Sequence, residues 1–241
     1  MPKDVRFRTR HELALDMLTQ HRASLPHAWA AGDDEMGRPA WFRASLRGMR
    51  EQYLLGAPAN TVVRDLDGRA PRWSGTGRRP KRPLEQMRAW VVHRPASAWT
   101  ELVVRRGEKG PIVVECLKRR VQARTDERRI GPEELLFATR ERTGGALTHD
   151  YYLSNAPADT PLEELARVAK AEHRIEECLQ RAKGEAGLSD YEVRTWTGWH
   201  HHQALALMAV WFLTRHASWG KTADAGDHGP AGQRGDRVAA A

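Results

Sequence analysis

An open α/β sheet is the fold class this sequence predicts, and three observations predict it. Helical and strand-like patterns alternate from the start of the chain to Pro58. A β-rich stretch then covers about 90–155. Two strong helical patterns follow it, before the composition turns to Gly, Ala and polar residues.

Element by element, residues 9–24 place Leu13, Ala14, Met17 and Leu18 on one side of a helix. His27-Ala28-Trp29-Ala30-Ala31-Gly32 reads as a strand whose C-terminal end presents the acids of Asp33-Asp34-Glu35-Met36-Gly37. A second helix is expected over about 38–50, and Tyr53-Leu54-Leu55-Gly56-Ala57-Pro58 as a buried strand. Residues 1–59 thus form one part of an α/β domain.

Residues 60–83 hold seven basic side chains against two acidic ones. Gly75-Thr76-Gly77-Arg78-Arg79-Pro80-Lys81-Arg82-Pro83 lies among them, a run with too much Pro, Gly and charge to join a core. The segment 60–89 is therefore expected to be an exposed basic arm, either a solvated linker or a contact for phosphates.

Three strands are expected at 99–105, 112–117 and 134–138, the first two joined as a hairpin through Gly107-Glu108-Lys109-Gly110-Pro111. Tyr151-Tyr152-Leu153-Ser154-Asn155 is the last strand. The pattern from Pro161 to Lys183 is helical. Leu165, Ala169, Glu172, Glu176 and Lys183 fall on one side of it, with Leu179 beside them. A carboxylate aimed at a packed side is costly unless it is paired or binds a metal, or unless the helix end reaches water. A closing helix over about 197–214 is apolar on most of its surface and is expected to be buried. The segment 156–215 thus holds two helices, and 216–241 is expected to be a disordered tail.

Composition narrows the function. The net charge is +8, carried by 32 Arg against 7 Lys, and the planar guanidinium fork grips phosphates two-pronged. A polyanion partner is favoured, although Arg, Ala, Gly and Pro together also fit a GC-rich coding bias. With mean hydropathy of −0.67 and no apolar run near the roughly 20 residues of a membrane span, no membrane partner is expected. The Met1-Pro2-Lys3-Asp4 start has no signal-peptide core, and two cysteines form neither a zinc spacing nor a disulfide framework. A cytoplasmic location follows as the expectation.

Acids at a strand end and on a later helix can converge although about 140 residues separate them in the chain. Converging carboxylates suit divalent cations that activate a water or 3′-hydroxyl for attack on a phosphodiester. Paired carboxylates also serve glycoside hydrolysis, which the basic charge balance fits poorly.

At these residues the chain resembles the DDE transposases of bacterial insertion sequences, whose catalytic domain has the ribonuclease H-like fold. The resemblance runs from about Val5 to Thr214. Tyr151-Tyr152-Leu153-Ser154-Asn155-Ala156-Pro157, Ala169-Lys170-Ala171-Glu172-His173-Arg174-Ile175-Glu176-Glu177, and Asp190-Tyr191-Glu192-Val193-Arg194 leading to Gly198-Trp199-His200-His201 carry it best. Gly32-Asp33-Asp34-Glu35-Met36-Gly37 and Gly107-Glu108-Lys109-Gly110-Pro111 are weaker parts of it. The resemblance implies a ribonuclease H-like mixed sheet with a β-rich insertion before the catalytic-Glu helix.

It implies Glu176 as the closing acid of the triad and Asp33 as the middle acid, with Asp34 as the alternative. Both acids would ligate Mg²⁺ or Mn²⁺. Lys183 matches a lysine that contacts DNA near the cleaved end. The family's Arg one turn before the Glu is replaced here by Glu172, which leaves Arg174 as the nearest substitute. Arg78, Arg79, Lys81 and Arg82 are the candidate phosphate contacts of the arm. Double-stranded DNA, as transposon ends and target, is the implied partner, bound by a homodimer.

Two departures from the pattern matter. The first acid should precede the helix at 9–24, and neither Asp4 nor Asp16 can replace it. The segment after Arg215 is unlike the family's C-terminal end and resembles translation past a frameshift. The expectation is a C-terminal piece, inactive alone, with an unpaired edge at the Asp33 strand and a tendency to aggregate. A separately encoded N-terminal half could complete it; otherwise it is a DNA-binding remnant that represses transposition, or a decayed reading frame.

Other residues carry plainer readings. His200-His201-His202 point about 100° apart on a helix and cannot share one ion. Trp196, Trp199 and Trp211 are expected in the core, His173 points off the Glu176 face, and Glu177 reads as a solvated charge.

Overall fold

The computed structural model describes residues 2–3, 5–107, 110–143 and 145–226. The chain divides into two compact units, Arg6–Ile175 and Met1–Val5 with Glu176–Ala241.

The first unit is built on a mixed sheet. Its helices are α1 (Arg10–His21), α2 (Asp34–Gly37), α3 (Ala40–Gly48), α4 (Met87–Val92) and the first part of α5 (Leu162–Glu185). Its strands are β1 (Ala30–Gly32), β2 (Tyr53–Gly56), β3 (Val62–Asp65), β4 (Glu85–Gln86), β5 (Thr100–Gly107), β6 (Gly110–Arg124), β7 (Ile130–Thr143) and β8 (Ala146–Ser154). Among the described residues the strands run β1-β2-β8-β7-β6-β3-β4, with β5 also paired to β6. Among the described residues β1 and β2 pair in parallel and every other pairing is antiparallel. The α/β class with a mixed sheet is therefore as expected, and β1 stands at an edge.

Alternation along the strands produces two packed faces. On one side Leu54, Cys116, Leu135, Phe137 and Tyr152 meet Leu165, Ala166, Val168 and Ala169 of α5. On the other, Leu117, Val121, Leu136 and Leu153 pack on Met87, Trp90 and Val91 of α4. Phe42 and Leu46 of α3 cover Tyr53 and Leu55, with Leu15 and Leu18 of α1 at the margin. At 25 cal/mol per Å², burial of each such Leu or Phe contributes roughly 2 kcal/mol.

Local chemistry starts and stops the helices. Thr9 and Glu12 form a reciprocal capping box at α1, and that bonding holds the Glu12 carboxyl below its ordinary value. α3 ends where Arg50 takes φ of 62° and the Glu51 amide donates back to the Leu46 carbonyl. The Ser154-Asn155 pair closes the end of β2 with side chains. Ser154 Oγ donates to the Tyr53 carbonyl at 2.5 Å, while Asn155 accepts from the Tyr53 amide and donates to the Glu51 carbonyl, each at 2.8 Å.

Several expectations are corrected here. The span 60–89 is not all arm: β3 pairs with β6 and β4, and α4 begins at Met87, which is fully buried. Only residues 69–84 form an exposed connection, a strap between two neighbouring strands. β6 continues through Lys118-Arg119-Arg120 to Arg124, because Leu117, Val121 and Ala123 supply a buried face between the charges. The hairpin of β5 and β6 is present, with Glu108 and Lys109 of its turn outside the described residues.

In the second unit, the end of α5 leads through the turn at Gly187 into α6 (Trp196–Gly226). The Leu188 amide donates to the Ala182 carbonyl, and Thr195 Oγ1 accepts from the Gly198 amide at the start of α6. α6 is helical across 216–226, where a disordered tail was expected; residues 227–241 lie outside the described set. Contrary to its apolar composition, α6 is mostly exposed between Trp196 and His216. Trp196, Trp199 and Trp211 are exposed rather than core.

The two thiols differ in kind. Cys116 is fully buried under α5 and its pKa is pushed up to about 12, chiefly by burial, whereas Cys178 is exposed. A disulfide-exchange reagent is expected to titrate one thiol in the native protein and two in denaturant. Two fast-reacting thiols in the native state would show that α5 does not cover β6.

Candidate functional site

The Asp33 turn is set by backbone crowding. β1 runs parallel to β2 in the register Ala30↔Tyr53, Ala31↔Leu54, Gly32↔Leu55, and the chain leaves the sheet at Asp33. It turns at once into α2, which crosses β2 at glycines. A Cβ on Gly37 would lie 1.9 Å from the Gly56 carbonyl oxygen, and one on Gly56 would lie 2.7 Å from the Asp33 carbonyl carbon and the Asp34 nitrogen. Neither position has room for a side chain, so the two glycines place the Asp33 backbone against β2.

Asp33 itself is exposed and caps α2, its Oδ1 accepting the Met36 amide at 2.9 Å. Its neighbours are engaged elsewhere. Asp34 faces Arg38 at 3.6 Å and Glu35 pairs with Arg10 at 2.8 Å. Among the described residues, no group of three or more His, Cys, Asp or Glu side chains gathers where it could hold a metal ion.

Glu176 lies on α5, the first residue of that helix assigned to the second unit. It is exposed, and so are Ile175 and Leu179. The stripe that buries Leu165 and Ala169 does not extend to Glu176, so of the two readings of that pattern the structure agrees with the helix end that reaches water. Lys183 is exposed in the last turn of α5, where a cation also complements the helix dipole. The side chains of Glu172, His173 and Arg174 lie outside the described residues.

The candidate arm residues separate into two kinds. Arg78, Arg79 and Lys81 are exposed on the strap. Gly75 and Gly77 take φ of 92° and 73°, conformations that favour glycine, and the guanidinium of Arg79 lies 5.6 Å from the Trp73 ring centre. Arg82 is different. It is half-buried and donates to the carbonyls of Gly68 and Asp65, so it ties the strap to the end of β3. Asp65 also accepts the amides of Asp67 and Gly68 and the Trp90 indole N–H.

A buried charge network was missed by sequence reasoning. Arg43 of α3 and Glu134 of β7 are 6% and 3% exposed, with Arg43 Nε donating to Glu134 Oε1 at 2.9 Å. The Tyr53 hydroxyl donates to the same oxygen at 2.6 Å, and Arg43 Nη1 donates to the Gly37 carbonyl at 2.5 Å. Burial, with Glu134 beside it, pushes the Tyr53 hydroxyl pKa upward. The network therefore links β7, β2 and α3 to the last residue of α2. Its one sequence signal was Glu134 at the head of an otherwise apolar strand, Glu134-Leu135-Leu136-Phe137.

No protein-family model matches the chain, and no curated protein matches it.

Proposed function

We propose that this chain is part of a DDE-type DNA transposase, acting in metal-dependent cleavage and joining of DNA strands. One observation supports the reading above the others. An exposed aspartate ends a parallel edge strand, and an antiparallel extension, β5–β8, separates it in the chain from a helix bearing an exposed glutamate. That order of strand, extension and helix is the one the ribonuclease H-like resemblance implies.

In this reading Asp33 and Glu176 would each be a carboxylate donor for Mg²⁺ or Mn²⁺, hard cations that prefer such oxygens. A metal held there would supply Lewis acidity toward a water or hydroxyl at the phosphodiester. Asp33 keeps one oxygen on the Met36 amide, which fixes the orientation of its carboxylate. The role of the strap is electrostatic: Arg78, Arg79 and Lys81 hold the phosphate backbone. A homodimer holds the paired DNA ends.

The exposed strap also favours a second reading, a non-catalytic protein that binds element ends and represses transposition. DNA flanking the protein's own reading frame is the probe for both. Nicking in Mg²⁺ or Mn²⁺, when the chain is mixed or joined with an Asp-bearing upstream piece, is expected to vanish in Asp33→Asn and Glu176→Gln. The absence of nicking in every mixture overturns the catalytic reading. End-specific binding that survives Glu176→Ala but weakens when Arg78, Arg79 and Lys81 become alanine then supports the repressor. Removing each cation that neutralises a phosphate lowers the slope of log K against log salt by about 0.9.

A further inference from the structure

A small cavity of about 210 Å³ lies at the root of the strap, where β3, β4 and α4 meet. Arg69 and Arg82, from the two ends of the strap, line it together with Arg94, which follows α4. Asp65, Glu85 and Trp90 complete its polar lining, and every residue named belongs to the unit Arg6–Ile175. Three guanidiniums gathered around one space repel each other unless something negative neutralises them.

The two carboxylates are engaged elsewhere. Asp65 spends Oδ1 on the amides of Asp67 and Gly68 and Oδ2 on the Trp90 indole. Glu85 lies against His93 at 3.3 Å. Among the described residues none of the three arginines has a carboxylate within ion-pair distance. Two of them are nevertheless held in place. Arg82 donates to the Asp65 and Gly68 carbonyls, and Arg94 Nε donates to the Trp90 carbonyl at 3.1 Å. The Arg94 guanidinium also lies 4.4 Å from the Trp90 ring centre. These contacts fix position without cancelling charge, which is the preorganisation an anion site needs.

We propose that this cavity binds a phosphate group, gripped by Arg69, Arg82 and Arg94. Guanidinium forks present paired N–H donors that match phosphate oxygens. A carboxylate, with two oxygens, would leave one of the three forks unmatched. The cavity is smaller than the roughly 300–1,000 Å³ of sites for drug-sized ligands, so it admits one such group rather than a whole nucleotide. The phosphate comes either from a nucleic-acid backbone or from the free ion. No part of the site depends on Asp33 or Glu176, so a failure of nicking leaves it standing.

The test uses the full chain with two probes, inorganic phosphate and a duplex of random sequence. Phosphate on the order of 10 mM is expected to raise the urea midpoint above that in chloride of equal ionic strength. Arg69→Ala combined with Arg94→Gln should abolish the rise. Arg129→Ala should keep it, since that exposed arginine pairs with Glu127 away from the cavity, and the comparison cancels the general salting effect of phosphate. With the duplex, the double variant should lower the slope of log K against log salt by about 0.9, the share of one phosphate. Arg69→Ala alone removes no hydrogen bond or ion pair of the folded chain and should move both readouts in the same direction, whatever Arg94→Gln does to folding. A lost rise with an unchanged slope assigns the free ion, and a lowered slope without any phosphate effect assigns the nucleic-acid backbone. The proposal is overturned if neither readout differs between the native chain and these variants.

Discussion

Adding a single methyl group at Gly37 is expected to destabilise the protein by more than about 3 kcal/mol, in the range reserved for core overpacking and backbone clashes. The new Cβ would meet the Gly56 carbonyl oxygen at 1.9 Å, and backbone atoms on a central pairing cannot swing aside as a side chain can. Gly56→Ala should behave similarly, its Cβ pressing on Asp33 and Asp34 at 2.7 Å. Gly48→Ala is the control: it is helical with nothing within 4 Å, so the midpoint of urea unfolding should hold or rise slightly. An unchanged midpoint for Gly37→Ala would mean that α2 does not cross β2 at these glycines. Loss of stability in Gly56→Ala also carries a functional reading, because the residue it pushes is the one that presents the candidate metal ligand.

Removal of Glu134 is the other large effect. Glu134→Ala leaves the Arg43 guanidinium buried with only carbonyl partners, and breaking such a pair costs about 3–5 kcal/mol. Tyr53→Phe removes one hydrogen bond to the same carboxylate and should cost about 1–2 kcal/mol. The paired replacement Arg43→Met with Glu134→Leu should recover much of the loss, since no charge is left stranded. A double-mutant cycle in urea gives the coupling directly. Single variants that each lose under about 1 kcal/mol would place the pair in reach of water.

Local patterns in the sequence were legible where one surface of an element meets the core. Tyr53–Gly56 reads as a buried strand because all four residues are buried, whereas of the four apolar positions expected on one side of α1 only Ala14 and Leu18 pack on the core and Leu13 and Met17 are exposed. α2 and α4 are shorter than two turns, so no periodicity can show in them. β6 hid among arginines because its charged positions pair sideways, Arg120 with Asp67 and Glu133, while alternate residues fill the core. α6 misled in the opposite sense. An apolar surface predicts that something will cover it, but the sequence does not say whether the cover belongs to the same chain. Of the candidate site, Asp33 at a strand end was readable from acids following an apolar run. The Arg43–Glu134 pair was not, since residues 91 apart in the chain share no local pattern.

Covalent continuity matters little at the strap. β3 and β4 lie side by side, and Asp65, Gly68 and Arg82 already tie the two ends together through hydrogen bonds. The peptide between them adds connection but little cohesion. A chain cut at Arg78 or Arg79 would keep its sheet, and new termini or a foreign domain could be placed there with the remaining sequence undisturbed.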